Sequence, residues 1–246
     1  MKAPNSSSDR LADSSLQQPV ADEIADELGR QIVDGRIPIG TWLRQDAVAA
    51  QFNVSRQPIR EAFRSLQGQG IIVLHPRRGA LVQGTSAREI RDACLVRAEL
   101  EGYAAELAAE HAHETDILAL RESINLFRSL IEGYLADEID ESTAAADWRE
   151  ANEKFHRTLL DAAGNNQLRQ SIDDLSRRLP RNMTFRAIGR DSRRLHENLE
   201  EHIAIADAVE RHNAPVAREH ARQHLRRAAE LISRWYERTV ASATAQ

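Results

Sequence analysis

Within its first 85 residues the chain changes hydrophobic period, and few folds accommodate that change. Val20, Ile24, Leu28, Ile32 and Val33 recur at helical spacing, and Gly35 ends the run. Ile37-Pro38-Ile39-Gly40 reads as a turn. A short helix from about Gln45 to Phe52 buries Val48, Ala49 and Phe52, and Asn53-Val54-Ser55 forms a tight connection to the next. That next helix takes Ser55 as its N-cap and tolerates Pro58 in its first turn, where a missing N–H costs no helical bond. It runs to about Gly68 and buries Ile59, Ala62, Phe63 and Leu66. Then Ile71-Ile72-Val73-Leu74 turns through His75-Pro76-Arg77-Arg78-Gly79 into Ala80-Leu81-Val82, which is a hairpin. Three helices followed by a two-stranded wing is the winged helix-turn-helix pattern.

The local charge agrees with a nucleic-acid partner. The whole chain carries −5, yet between Gln51 and Thr85 five arginines (Arg56, Arg60, Arg64, Arg77, Arg78) face a single acid, Glu61. Only the docking face needs to be basic, because affinity for DNA is largely phosphate neutralisation. Arg56 and Arg60 lie four apart at the start of the third helix, so they project from one face. There an arginine grips guanine O6 and N7 with two hydrogen bonds, or clamps phosphate. Gln57 is a further base contact. Arg77 or Arg78 reaches the minor groove from the hairpin with help from His75, and Gly79 lets the backbone approach DNA closely.

A length of 246 residues suits two domains, and frequent alanine with only 4% aromatic residues favours helices beyond the wing. After the small polar linker Gln83-Gly84-Thr85-Ser86, helices are expected at roughly 86–111, 114–136, 143–163, 166–187, 190–212 and 216–239. Pro180 kinks or splits the fourth of these. The expected organisation is a disordered tail at 1–18, the winged domain at 19–84 and an all-α bundle of six or seven helices at 85–240. The polar N-terminus lacks the apolar run of a signal peptide, and no stretch reaches 18 apolar residues. Cys94, the single cysteine, excludes an intramolecular disulfide and reads as a small buried hydrophobe. These features place the protein in the cytoplasm, with no membrane partner.

Nine histidines are many for this length. Helical projection puts Asn152, His156, His202 and His224 on the apolar faces of three different helices. Three converging imidazoles would be costly to bury unless a divalent cation such as Zn²⁺ or Ni²⁺ repaid the lost solvation. His220, four residues before His224, sits at the edge of its apolar stripe. Arg97 has two readings: partner to an anionic effector, or intrahelical ion pair with Glu101.

Several stretches resemble the GntR family of bacterial regulators: Gly35-Arg36-Ile37-Pro38-Ile39-Gly40-Thr41-Trp42-Leu43, then Phe52-Asn53-Val54-Ser55-Arg56-Gln57-Pro58-Ile59-Arg60-Glu61-Ala62, then Arg78-Gly79-Ala80-Leu81-Val82. The later run from Arg97 through Leu100-Glu101 to Ala109, with Asn152-x-x-Phe155-His156-x-x-Leu159, resembles the helical FCD sensing domain of the FadR-like branch. The resemblance implies a homodimer on a pseudo-palindromic operator, acting as a repressor released by a small carboxylate effector. It assigns Ser55, Arg56, Gln57, Arg60 and the wing residues to DNA. Many relatives carry a basic residue where Asp46 stands, a contact for which Arg44 substitutes. Metal-binding relatives place an acid four residues before the first histidine. Here Asn152 takes that place beside His156, His202 and His224, and with Arg97 it is the expected effector contact. Two other functions fit the sequence less well. A metal-dependent enzyme on the helical domain lacks any H-E-x-x-H, nucleophile elbow or partnered base. A constitutive DNA-binding dimer with no effector would fill the inward polar positions with leucine.

Overall fold

The computed structural model describes residues 9–33, 36–83, 86–176 and 183–244. The expectations placed on Gly35, on Gly84-Thr85 and on Pro180 therefore lie outside the described residues. The chain divides into two compact units, residues 1–86 with 236–246, and residues 87–235.

The first unit is built from α1 (Asp9–Val33), β1 (Trp42–Leu43), α2 (Gln45–Phe52), α3 (Arg56–Gly68), β2 (Ile72–His75) and β3 (Gly79–Val82). Its core joins Ile24, Leu28 and Ile32 of α1 to Ile59, Phe63 and Leu66 of α3, closed by Ile72, Ala80 and Val82 from the sheet. Burial of these faces drives the packing, since most helical stability in a protein comes from packing of an apolar face. Two expectations are corrected. The stretch 1–18 is not wholly a tail, because α1 already begins at Asp9. The wing has three strands rather than two, in the order β1-β3-β2, all antiparallel. A two-residue strand is too short to show a period, so β1 was not legible beforehand.

Gly79 occupies φ +104°, and a Cβ there would lie 2.3 Å from the Leu43 carbonyl oxygen. The glycine is required by the close approach of β3 to β1. This constraint is independent of any approach to DNA, and Gly79 also lines the basic cleft of this unit.

The second unit is all helical: α4 (Ala87–His111), α5 (Glu114–Leu135), α6 (Glu141–Ala162), α7 (Asn166–Ser176), α8 (Met183–Ile188), α9 (Ser192–Glu210) and, as far as Trp235, α10 (Ala214–Thr244). Helix starts are fixed by side chains: Asp140 Oδ1 accepts from the Thr143 N–H at 2.8 Å, and Asp191 Oδ1 from the Arg194 N–H at 3.2 Å. The core is an aromatic cluster of Phe127, Trp148, Phe155 and Phe185 among alanines of α4, α9 and α10. Gly102 brings α4 against α10, where a Cβ would meet the Arg218 carbonyl at 3.1 Å. Cys94 is buried, and that burial pushes its thiol up in pKa. Among the described residues no helix is long and apolar enough to cross a membrane.

Candidate functional site

In the first unit, α3 and the β2–β3 turn face each other across a cleft of about 620 Å³. Arg44, Arg56, Arg60, Arg64, Arg77 and Arg78 line it together with His75 and Gly79, and Asp46 is the one acid. Arg56, Arg60 and Arg64 follow at i, i+4 and i+8, so helical geometry alone aligns them. Asn53, in the left-handed conformation at φ 52°, turns the chain between α2 and α3 and so sets the face that α3 presents. Ser55 stands at the N-cap of α3, but its hydroxyl makes no capping bond. The N-cap position is as expected, and the exposed hydroxyl stays available. Gln57 donates to Glu61 Oε1 at 2.7 Å.

Two further residues shape this surface. Asp46 pairs with Arg56, both well exposed. Such a pair contributes at most about 1 kcal/mol, so phosphate competes with it readily. Trp42 supports the wing: the Arg78 guanidinium lies 4.9 Å from its ring centroid, and His75 packs edge-on at 5.0 Å. Sequence reasoning missed Trp42 as a support, and it counted Arg64 only as charge.

In the second unit, His156 of α6, His202 of α9 and His224 of α10 converge, with one ring nitrogen of each within 4.8 Å of the others. His202 and His224 are buried and His156 nearly so. Their Nδ1 atoms are held from outside. His202 Nδ1–H donates to the Asn198 carbonyl at 2.7 Å and His224 Nδ1–H to Glu201 Oε2 at 2.7 Å. His156 Nδ1 lies 2.6 Å from Glu101 Oε2, off the ideal hydrogen-bond direction. Because a carbonyl and an ionised carboxylate only accept, His202 and His224 carry hydrogen on Nδ1. His202 Nε2 is buried without a hydrogen-bond partner. Burial, with His224 and His156 nearby, holds the His202 imidazole well below its usual pKa and therefore neutral. Three converging imidazoles with a buried unpaired nitrogen fit a divalent cation.

Asn152 is half-buried one helical turn before His156. His220 is outside the triad and lines a separate cleft between α9 and α10. Arg97 is committed to Glu101, with Nε at 3.0 Å from Oε1, so the intrahelical pair is made. Burial alone would raise the Glu101 carboxyl, but Arg97 and then His156 hold it well below the usual carboxylate range. Glu101, Glu201 and Asn198 were not singled out as parts of the centre. The i−4 position of Asn198 relative to His202 was the only local signal available.

With this geometry in place, comparison with known proteins is direct. Residues 20–82 match the model for bacterial regulatory proteins of the gntR family, and residues 92–227 match the FCD domain. The chain belongs to the GntR family and carries an FCD domain; it is a DNA-binding transcriptional regulator, and its class is not catalytic. It is 31% identical to the "Probable D-xylose utilization operon transcriptional repressor" of Paenarthrobacter nicotinovorans, over 83% of this chain and 84% of that one. It is 29% identical to the HTH-type transcriptional repressor RspR of Escherichia coli, over 87% and 90%. Among solved structures, E. coli McbR/YncC shares the fold with a TM-score of 0.63 at 20% identity, covering 88% of this chain and 98% of that one. Lar of Listeria monocytogenes follows with 0.58 at 17% identity, covering 87% and 96%.

Proposed function

We propose that this protein is a cytoplasmic repressor that binds a pseudo-palindromic operator as a homodimer and is released by a small carboxylate effector. The effector occupies the helical unit at a divalent metal held by His156, His202 and His224, with Asn152 beside them. The observation that carries the metal reading is His202 Nε2, buried, unpaired and close to two further imidazoles. A bound divalent cation supplies a Lewis-acidic positive charge with open positions for a carboxylate oxygen. The chain's own residues fix the rings, exclude water and keep Arg97 neutralised by Glu101. Effector binding shifts the population between two spacings of the DNA-reading heads through the 83–86 linker. Two-fold symmetry of the dimer matches two-fold symmetry of the operator.

On DNA, Arg56 and Arg60 read base edges or clamp phosphate, Gln57 adds a base contact, and Ser55 and Arg44 meet the backbone. Arg77 and Arg78 enter the minor groove with His75. Arg60→Ala is expected to weaken binding to a duplex selected from a random library by roughly ten- to hundredfold, the worth of one bidentate contact of about 1–3 kcal/mol. Sedimentation should show an unchanged dimer. Loss of the dimer, or unaltered affinity, would remove Arg60 from the interface. Asp46→Ala is expected to act oppositely. With Arg56 unpaired, affinity for unrelated duplexes rises and the log–log salt slope steepens by about one phosphate contact; a slope identical to wild type would refute this.

A further inference from the structure

The histidine centre contains a charge problem that its surroundings answer. Three neutral imidazoles and the Asn152 amide bring no negative charge to a buried divalent cation. Two carboxylates stand one imidazole width away, each reaching a different ring. Glu101 of α4 approaches His156 Nδ1, and Glu201 of α9 accepts from His224 Nδ1. Each is pinned on its other oxygen by an arginine. Arg97 Nε donates to Glu101 Oε1 at 3.0 Å, and Arg227 Nη1 donates to Glu201 Oε1 at 2.6 Å. Glu201 is held at both oxygens and Glu101 at one, with its other oxygen 2.6 Å from His156 Nδ1, so each carboxylate stays behind its ring and can dictate which ring nitrogen faces the centre.

We propose that Glu101 and Glu201 are positioning residues that hold His156 and His224 with Nε2 toward the metal and supply, through the rings, the negative charge that Asn152 lacks. The inference rests on the metal reading above and adds two residues to it. Outer carboxylates of this kind orient ligating imidazoles and raise their basicity, and losing one typically costs ten- to a hundredfold in metal affinity. The two pairs are also asymmetric. Glu101 and Arg97 sit on one buried helix face, whereas Arg227 is exposed and Glu201 lines the cleft between α9 and α10. The carboxylate behind His224 is therefore the more exposed of the two, although the His224 ring itself is buried.

The test uses the full-length protein and zinc as probe, titrated against a chromophoric chelator. Glu101→Gln and Glu201→Gln are each expected to bind zinc ten- to a hundredfold more weakly, and adding Asn152→Asp to Glu101→Gln is expected to restore affinity. In parallel, ¹⁵N-histidine spectra of chelator-treated wild type are expected to show the Nδ1–H tautomer at His156 and His224, a readout that needs no variant to fold. Wild-type affinity in both glutamine variants would overturn the proposal, as would an Nε2–H tautomer at either ring. If the wild type binds no zinc, the metal reading falls by itself. The spectra then decide the positioning role alone: Nδ1–H at both rings sustains it and Nε2–H at either removes it.

Discussion

Replacing His202 with phenylalanine is expected to abolish zinc-dependent stabilisation and, in chelator-treated protein, to make the helical unit more resistant to acid. His202 is fully buried, with its ring centroid 4.5 Å from that of Phe127 and 4.7 Å from that of Phe155. An aromatic hydrocarbon of similar shape fits such a cage, and it relieves an unpaired buried nitrogen worth about 1–3 kcal/mol. The pH dependence follows from linkage. Burial, then His224 and His156, depress the folded-state pKa of His202. Below about pH 6.5 the unfolded chain binds a proton that the folded chain refuses. Wild-type stability therefore falls as the pH drops, by up to about 1.4 kcal/mol per unit from this residue. The phenylalanine variant lacks that contribution. Urea midpoints at pH 7.5 and 5.5 with chelator, and melting temperatures with and without zinc at pH 7.5, measure both effects. Equal acid sensitivity in the two proteins, or zinc stabilisation retained by the variant, would contradict the assignment.

The second large effect is expected at the wing. Gly79→Ala should abolish DNA binding and destabilise the first unit by roughly 3 kcal/mol or more. Two costs add here: a positive φ that an L side chain tolerates poorly, and a Cβ 2.3 Å from the Leu43 carbonyl oxygen. Neither is relieved by a side-chain rotation, because the opposing atom is backbone. Relief requires β3 to part from β1, and the 75–79 turn carries Arg77 and Arg78, so the basic wing is lost with the strand pairing. Hydrogen exchange at Leu81 and DNA affinity should change together, while the melting of the helical unit stays as in wild type. A variant that binds DNA normally would show that the β1–β3 approach is not what demands glycine.

Both predictions concern residues that stood out in the sequence, but for reasons that the structure partly replaces. The sequence marks Gly79 as a wing glycine, and the structure adds a constraint from the neighbouring strand. His202 was noticed as a polar residue in an apolar stripe. The aromatic cage that gives it a shape, and the Asn198 carbonyl that fixes its tautomer, come from packing. Arg97 is open between two roles in the sequence, and packing shows the ion pair with Glu101 one helical turn away.

What the sequence alone determined is what helical and strand periods project. The arginines at 56, 60 and 64 share a face because four residues nearly complete a turn. Leu28, Ile59 and Phe63 point inward because their helices bury one stripe, and the hairpin follows from β-branched runs around a proline turn. The family assignment followed from the same short-range runs. What the tertiary structure decided is which faces meet. Glu101 reaches His156 55 residues further along the chain, and Glu201 reaches His224 on the next helix. Trp42 comes beneath Arg78 from a strand of two residues. No period encodes such pairs, because their geometry depends on how the helices and strands pack, and side chains far apart in sequence are brought together only when the cores close.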